Sequence, residues 1–409
     1  MTVAAISAPV RTRLERLSQA FAALTAVSLP WSTSVTSVCV ALWIVTLLPL
    51  IEWRSFSDAV RVPAAWLPLA LLALAVVGVL WADVPWRDRF LGVAPFAKLA
   101  VVPLLMWQFS RQERGERIFY AFLASGCALL ALSWLSAAYP QLLPWRDTGR
   151  YFGIPVKDYI SQSGVFTLCI FGVLQRAFAI WPRARIGAVL LVALAGLFLA
   201  NIVFVALART ALVVIVVLFV LFGLRYATGK GLAVLSAAFV ALAALSWTTS
   251  DYLRWRVENI AGEIQNFTPE HDTSSGARLA FWKDSIAIVR DAPLLGHGTG
   301  SIRASFAKQT GVDATSPGAA TNPHNQVLAV AIQLGGLGAL VLIAMWIAHA
   351  GLFLARDAAS WIGLIVVVQN VISSLFNSHL FDFTPGWIYV FGAGVAGGLV
   401  LRNRRPAPP

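Results

Sequence analysis

Charge is scarce in this sequence. Only 12% of its 409 residues are Asp, Glu, Lys or Arg, where a soluble domain carries about 25%. Hydrophobic residues reach 58%, so the solvent this chain is built for is a bilayer. Cysteine is scarce too. Cys39, Cys127 and Cys169 all fall within apolar runs, which excludes a disulfide framework and a metal-ligand spacing and leaves buried thiols. No HExxH, CxxC, DxD or Walker pattern occurs, so neither a metal nor a nucleotide is implied. No A-x-A-like cleavage site follows Arg11, Arg13 and Arg16, and the first apolar stretch reads as a retained helix.

Apolar runs of spanning length lie at about 17–29, 34–51, 64–81, 91–109, 118–138, 160–180, 186–203, 208–224, 231–248, 326–348, 360–377 and 384–401. A helix of about 20 residues crosses a hydrocarbon core of about 30 Å. The pattern therefore predicts an all-α polytopic membrane protein of about twelve helices. The 39 residues from Ile186 to Leu224 are too long for one span and fit a tight hairpin of two. With the N-terminus inside, alternate loops on the inner side carry 17 basic residues against six acidic. The other side carries 14 basic and 13 acidic. This is the positive-inside pattern, and it predicts cytoplasmic termini. The net charge of +12 invites a nucleic-acid reading, but its excess is spread thinly over inner turns, so no nucleic-acid partner is expected.

Three segments follow: 1–248 with the first nine helices, a large outer loop at 249–323, and 324–409 with the last three. Within the loop, Leu253, Val257, Ile260 and Ile264 recur at helical spacing, as do Leu279, Trp282, Ile286 and Val289. Ser274 and Ser275 precede the second set as candidate caps. A Gly-rich turn, Gly296-His297-Gly298-Thr299-Gly300, comes after Pro293. Solvated charges on a structural lid would explain this loop, but long ordered loops tend to carry function.

Several polar residues stand where a membrane protein does not require them. Lys98 lies within the fourth apolar run, and ionisable groups there are functional candidates by default. Arg209 stands at the outer start of the eighth helix, where a snorkelling arginine is the plain alternative. Arg278 opens the second loop helix, and Arg150, Lys157 and Asp158 cluster before the sixth span. His324 sits in Asn322-Pro323-His324-Asn325, where the loop re-enters the membrane, and an imidazole there can exchange a proton near neutral pH. His271, His349 and His379 have weaker cases. Guanidinium groups clamp phosphate oxygens, and a helix N-terminus at His324 adds a positive dipole end. Glycosyl transfer from a lipid diphosphate can run on such cations, since neutralising the leaving group replaces a metal's role.

His324-Asn325, then nine residues, then Gly335-Gly336-Leu337-Gly338 resembles the H-[NSQ]-x9-G-x-x-G signature of bacterial O-antigen ligases. Arg278, Trp282, Pro293, Gly296, Gly298 and Pro323 look like the wider pattern of ligases and Wzy-type polymerases, and Arg150, Phe152 and Gly153 resemble an earlier Arg-x-x-Gly element. The resemblance implies a GT-C-like membrane glycosyltransferase of the bacterial inner membrane with a periplasmic active site and no cofactor. Its donor would be undecaprenyl-diphosphate-linked O-antigen and its acceptor lipid A–core oligosaccharide. By resemblance His324 is catalytic and Arg209 and Arg278 bind the diphosphate. Lys98, Arg150, Lys157, Asp158, His297, Asn325 and Asp382 are second-tier candidates, Asp382 as a group that orients a base. The resemblance leaves His324 open as general base or diphosphate ligand. Alternatives are a Wzy-type polymerase, a protein O-oligosaccharyltransferase and, from another class, a secondary transporter, for which no repeat between the halves is visible.

Overall fold

The computed structural model describes residues 7–112, 114–142, 152–227, 229–265, 274–316 and 319–404. Its helices in order are α1 (Ala8–Ser28), α2 (Thr33–Leu47), α3 (Trp53–Val60), α4 (Pro63–Val77), α5 (Trp86–Ala97), α6 (Val101–Phe109), α7 (Glu116–Ala138), α8 (Tyr159–Ile180) and α9 (Arg185–Phe204). They continue as α10 (Arg209–Tyr226), α11 (Lys230–Thr249), α12 (Asp251–Gln265), α13 (Ser274–Asp291), α14 (Ile302–Thr310), α15 (Gln326–Leu352), α16 (Ala358–Ser373) and α17 (Phe383–Asn403). No strand occurs among the described residues.

Among the described residues ten helical stretches are long and apolar enough to cross a membrane, and the protein is a polytopic all-helical membrane protein. The two further expected spans are helices that miss those limits for separate reasons. α1 starts nine residues before the apolar run, at Ala8 with a proline in its first turn, and so includes Arg11, Arg13, Glu15 and Arg16. α16 is 16 residues long. The 186–224 stretch folds as expected into a hairpin, α9 and α10, joined by residues 205–208. The two amphipathic patterns of the long loop are α12 and α13, and α14 is a third helix the periodicity did not announce. The side chains of Ser274 and Ser275 lie outside the described residues, and so do Arg150 and His271.

Buried polar pairs tie the spans together, as in bilayers where apolar packing alone gives little preference between helix and lipid. Trp43 donates to Gln108 at 2.7 Å and Gln108 donates to Ser18 at 3.1 Å, which binds α2, α6 and α1. The most enclosed span is α17, packed against α6 and α16.

α15 is not a continuous helix. Gly335 has φ 63° and ψ −164°, a conformation open essentially to glycine alone. A break inside a span leaves backbone groups that lipid cannot satisfy. Here the Gly-rich turn supplies the partners. His297 N–H donates to the Ile332 carbonyl at 2.8 Å and Gly298 N–H to that of Gln333 at 2.9 Å. In return Gly336 N–H donates to Pro293 at 2.7 Å and Leu337 N–H to Leu294 at 3.3 Å. Gln333 Oε1 accepts from Gly300 N–H at 2.8 Å, and Thr299 reaches across to carbonyls of α4 and its end. A methyl group at Gly335 would meet the Leu294 carbonyl, and one at Gly298 would meet the Ala82 backbone. The turn is a structural staple between α4 and the broken helix.

Candidate functional site

Asn325 caps α15 by accepting from Leu328 N–H at 3.1 Å, so the helix starts at Gln326, two residues after His324. His324 is the one non-glycine with positive φ, 52°, among the described residues. Histidine is among the few side chains found there with any frequency. Its neighbours hold it in place. Its N–H donates to Asn322 Oδ1 at 2.8 Å, and Trp282 on α13 donates to its carbonyl at 3.3 Å. The Phe281 ring stacks on the imidazole with centroids 5.7 Å apart.

The imidazole's partners come from the turn between α16 and α17. His324 Nδ1 lies 3.0 Å from Asn377 Oδ1, and Asn377 Nδ2 donates to Asp382 Oδ2 at 3.0 Å. His379 Nδ1 lies 3.0 Å from the same oxygen of Asp382. An ionised carboxylate only accepts. Asn377 therefore turns its NH2 to Asp382 and its oxygen to His324, and His324 must donate from Nδ1. In neutral His324 the lone pair then sits on Nε2. Burial pushes the His324 pKa below its usual 6.5, and the nearby Arg278 charge pushes it the same way. The site holds a neutral imidazole with its basic nitrogen fixed.

Lys98 donates from Nζ to the carbonyls of Phe381 and Asp382, at 3.1 and 2.8 Å. Its buried ammonium supports the turn that bears Asp382. Gln326 Oε1 accepts from Leu380 N–H at 2.9 Å and pins the same turn to α15.

Beside this turn lies a narrow cleft of about 30 Å³. Ile160 and Ser161 of α8, Thr210 of α10, Gln369 of α16, His379 and Thr384 of α17 are among its lining. Three helix N-termini thus converge there. That of α8 is closed by Asp158, which accepts from Ile160 and Ser161 N–H at 2.9 and 2.8 Å. Those of α10 and α17 have no side-chain cap, so first-turn N–H groups remain for an anion. Arg209 opens α10 and donates from Nε to the Arg256 carbonyl at 2.9 Å. The Arg256 guanidinium lies over Tyr159 at 5.5 Å and Tyr252 at 6.0 Å. Lys157 donates from Nζ to Thr384 Oγ1 and to the Leu29 carbonyl, both at 2.6 Å. Burial lowers its pKa to about 8 against the opposing pull of Asp158. An apolar cavity of about 460 Å³ between α1, α7, α8, α9, α16 and α17 shares Ile388 with the cleft.

The sequence candidates therefore separate. His324, Arg278, Asn325 and Asp382 gather at the start of α15, and Arg209, Lys157 and Asp158 gather around the cleft. Lys98 lies under the turn. His297 stands apart: its Nε2 donates to the Ile288 carbonyl at 2.9 Å, inside the staple. His349 is buried between Tyr389 and the Ala64 carbonyl. Asn377 and Arg256 went unnoticed in the sequence, Asn322 was named only as a neighbour of His324, and His379 was underweighted. The polar run Asn377-Ser378-His379 with Asp382, set between two apolar spans, was the available signal.

No match was found among curated proteins. A family model described as O-antigen ligase matches residues 194–343, which takes in Arg209, Arg278 and His324 and stops short of Asn377, His379 and Asp382. Over that stretch the chain is similar to O-antigen ligases.

Proposed function

We propose that this protein transfers an O-antigen glycan from undecaprenyl diphosphate to lipid A–core oligosaccharide, on the periplasmic face of the inner membrane. The observation that carries the reading is the Asp382–Asn377–His324 chain, which fixes Nε2 as the basic atom of His324, while burial and Arg278 favour its neutral form. An acceptor hydroxyl gives its proton to Nε2 as its oxygen attacks the anomeric carbon. The bond from that carbon to the diphosphate oxygen breaks, and the leaving group takes the electron pair. One direct displacement inverts the anomeric centre. Arg278 neutralises charge on the His324 side. Arg209 and the open starts of α10 and α17 receive the diphosphate, as preorganised donors stabilise developing charge best. The apolar cavity below the cleft suits the isoprenoid tail, and the positive-inside bias supports a periplasmic site.

Reconstitution tests this. Purified protein receives undecaprenyl-diphosphate glycan and one of three acceptors: lipid A–core, a second lipid-linked glycan, or a peptide. Sugar gained by lipid A–core supports the reading. Elongation of the lipid-linked glycan alone would make the protein a polymerase. Replacing His324 with Ala should abolish transfer without loss of protein.

A further inference from the structure

We propose that His379 is a second catalytic histidine, donating from Nε2 to the diphosphate as it leaves. The assignment rests on the transfer reaction above and adds a residue to it. His379 is held by Asp382 through Nδ1, its side chain is only 4% exposed, and its ring lines the cleft. Its Nε2 makes no hydrogen bond with any described residue and is not fully enclosed, which leaves it accessible beside the cleft that the residue lines. The cleft is the place where the uncapped starts of α10 and α17 meet, and an anion there has His379 as its one imidazole neighbour.

One carboxylate thus serves two imidazoles by different routes. Asp382 reaches His324 through the neutral carboxamide of Asn377, which passes orientation but no proton. It touches His379 directly, and a protonated His379 gains an ion pair. The two rings are suited to opposite tasks. The sugar–oxygen bond breaks, its electron pair stays on the diphosphate, and the proton on His379 Nε2 moves to that oxygen. The acceptor's proton goes to His324. His379 ends neutral and His324 ends charged, and exchange with water restores both. The charged and titratable groups around His379 are Asp382 and Lys98 at its turn, Lys157 and Asp158 at the start of α8, Arg209 on α10, and His324.

The test uses the full chain in lipid nanodiscs. In the unaltered protein, transfer should fall at low pH, as His324 is protonated, and at high pH, as general acid catalysis fails. His379→Gln keeps a neutral donor in place. It should lower kcat by roughly 10²-fold, the usual scale of general acid–base catalysis, and remove the alkaline limb while leaving the acidic one. Binding of undecaprenyl-diphosphate glycan should weaken with rising pH in the unaltered protein and lose that dependence in His379→Gln, a readout that needs no turnover. A mere structural role would lower the whole profile without changing its shape. An unchanged alkaline limb, or activity within twofold of the parent, overturns the assignment. Absence of transfer by the unaltered protein to any acceptor would sink the reaction itself and the assignment with it.

Discussion

At the scale of single residues, the site depends on where protons sit. His324 is useful as a base only if its Nε2 is free, and that follows from a carboxylate two bonds away. Asn377→Leu should leave the ring stacked on Phe281 but without a fixed tautomer, and kcat should fall about 10–100-fold, the scale on which loss of an orienting partner acts. Steady-state kinetics with saturating donor would check this. The sign of the pH effect also follows. A histidine whose pKa is lowered on folding keeps its neutral form above that value, and both stability and activity are lost as pH falls through it. Arg278 contributes to the lowering. In Arg278→Gln the acidic limb of the transfer profile should therefore move toward neutral pH, whatever happens to the rate. A limb that stays put would mean that Arg278 does not face the base.

At the scale of elements, the broken α15 is the part least tolerant of change. Gly335→Ala places a β-carbon against the Leu294 carbonyl and forces a side chain into a backbone region worth about 1–3 kcal/mol of strain. The expected result is loss of folded protein, read as a lowered melting temperature in detergent, with Gly298→Ala behaving alike. Gly172 of α8 is the contrast. It lines the apolar cavity, and nothing lies within 4 Å of where its β-carbon would be. Gly172→Leu should fold normally yet reduce use of a long-tailed donor more than of a short-chain prenyl diphosphate glycan. Equal effects on both would remove the cavity from the donor's path.

At the scale of the whole molecule, the apolar runs and the charge bias made the polytopic helical fold legible, because hydropathy over some 20 residues is a bulk property of each segment. Helix limits were less legible. α1 begins at Ala8 because a proline and a run of good helix formers extend it outside the apolar stretch. The site was half legible. His324 and the arginines lie near a recognisable motif, whereas Asn377 and His379 meet it only through a turn more than 50 residues further along the chain, and no local pattern encodes that meeting. Topology remains a prediction with a direct check. A cysteine at exposed Lys308 of α14 should react with a membrane-impermeant maleimide in intact spheroplasts. One at Arg183 should react only after lysis.

The staple across α15 bears on how the chain is made. Left alone, Gln326–Leu352 would satisfy every backbone group as one straight rod, and nothing in an isolated span would favour opening it at Gly335. The break exists because residues 293–300 bring donors and acceptors to it. Those residues leave the ribosome before Ile332–Leu337, so the loop can be waiting when the helix arrives. The straight rod and the docked break are then two states of one segment, and the loop selects between them. Synthesis order becomes part of how His324 finds its place.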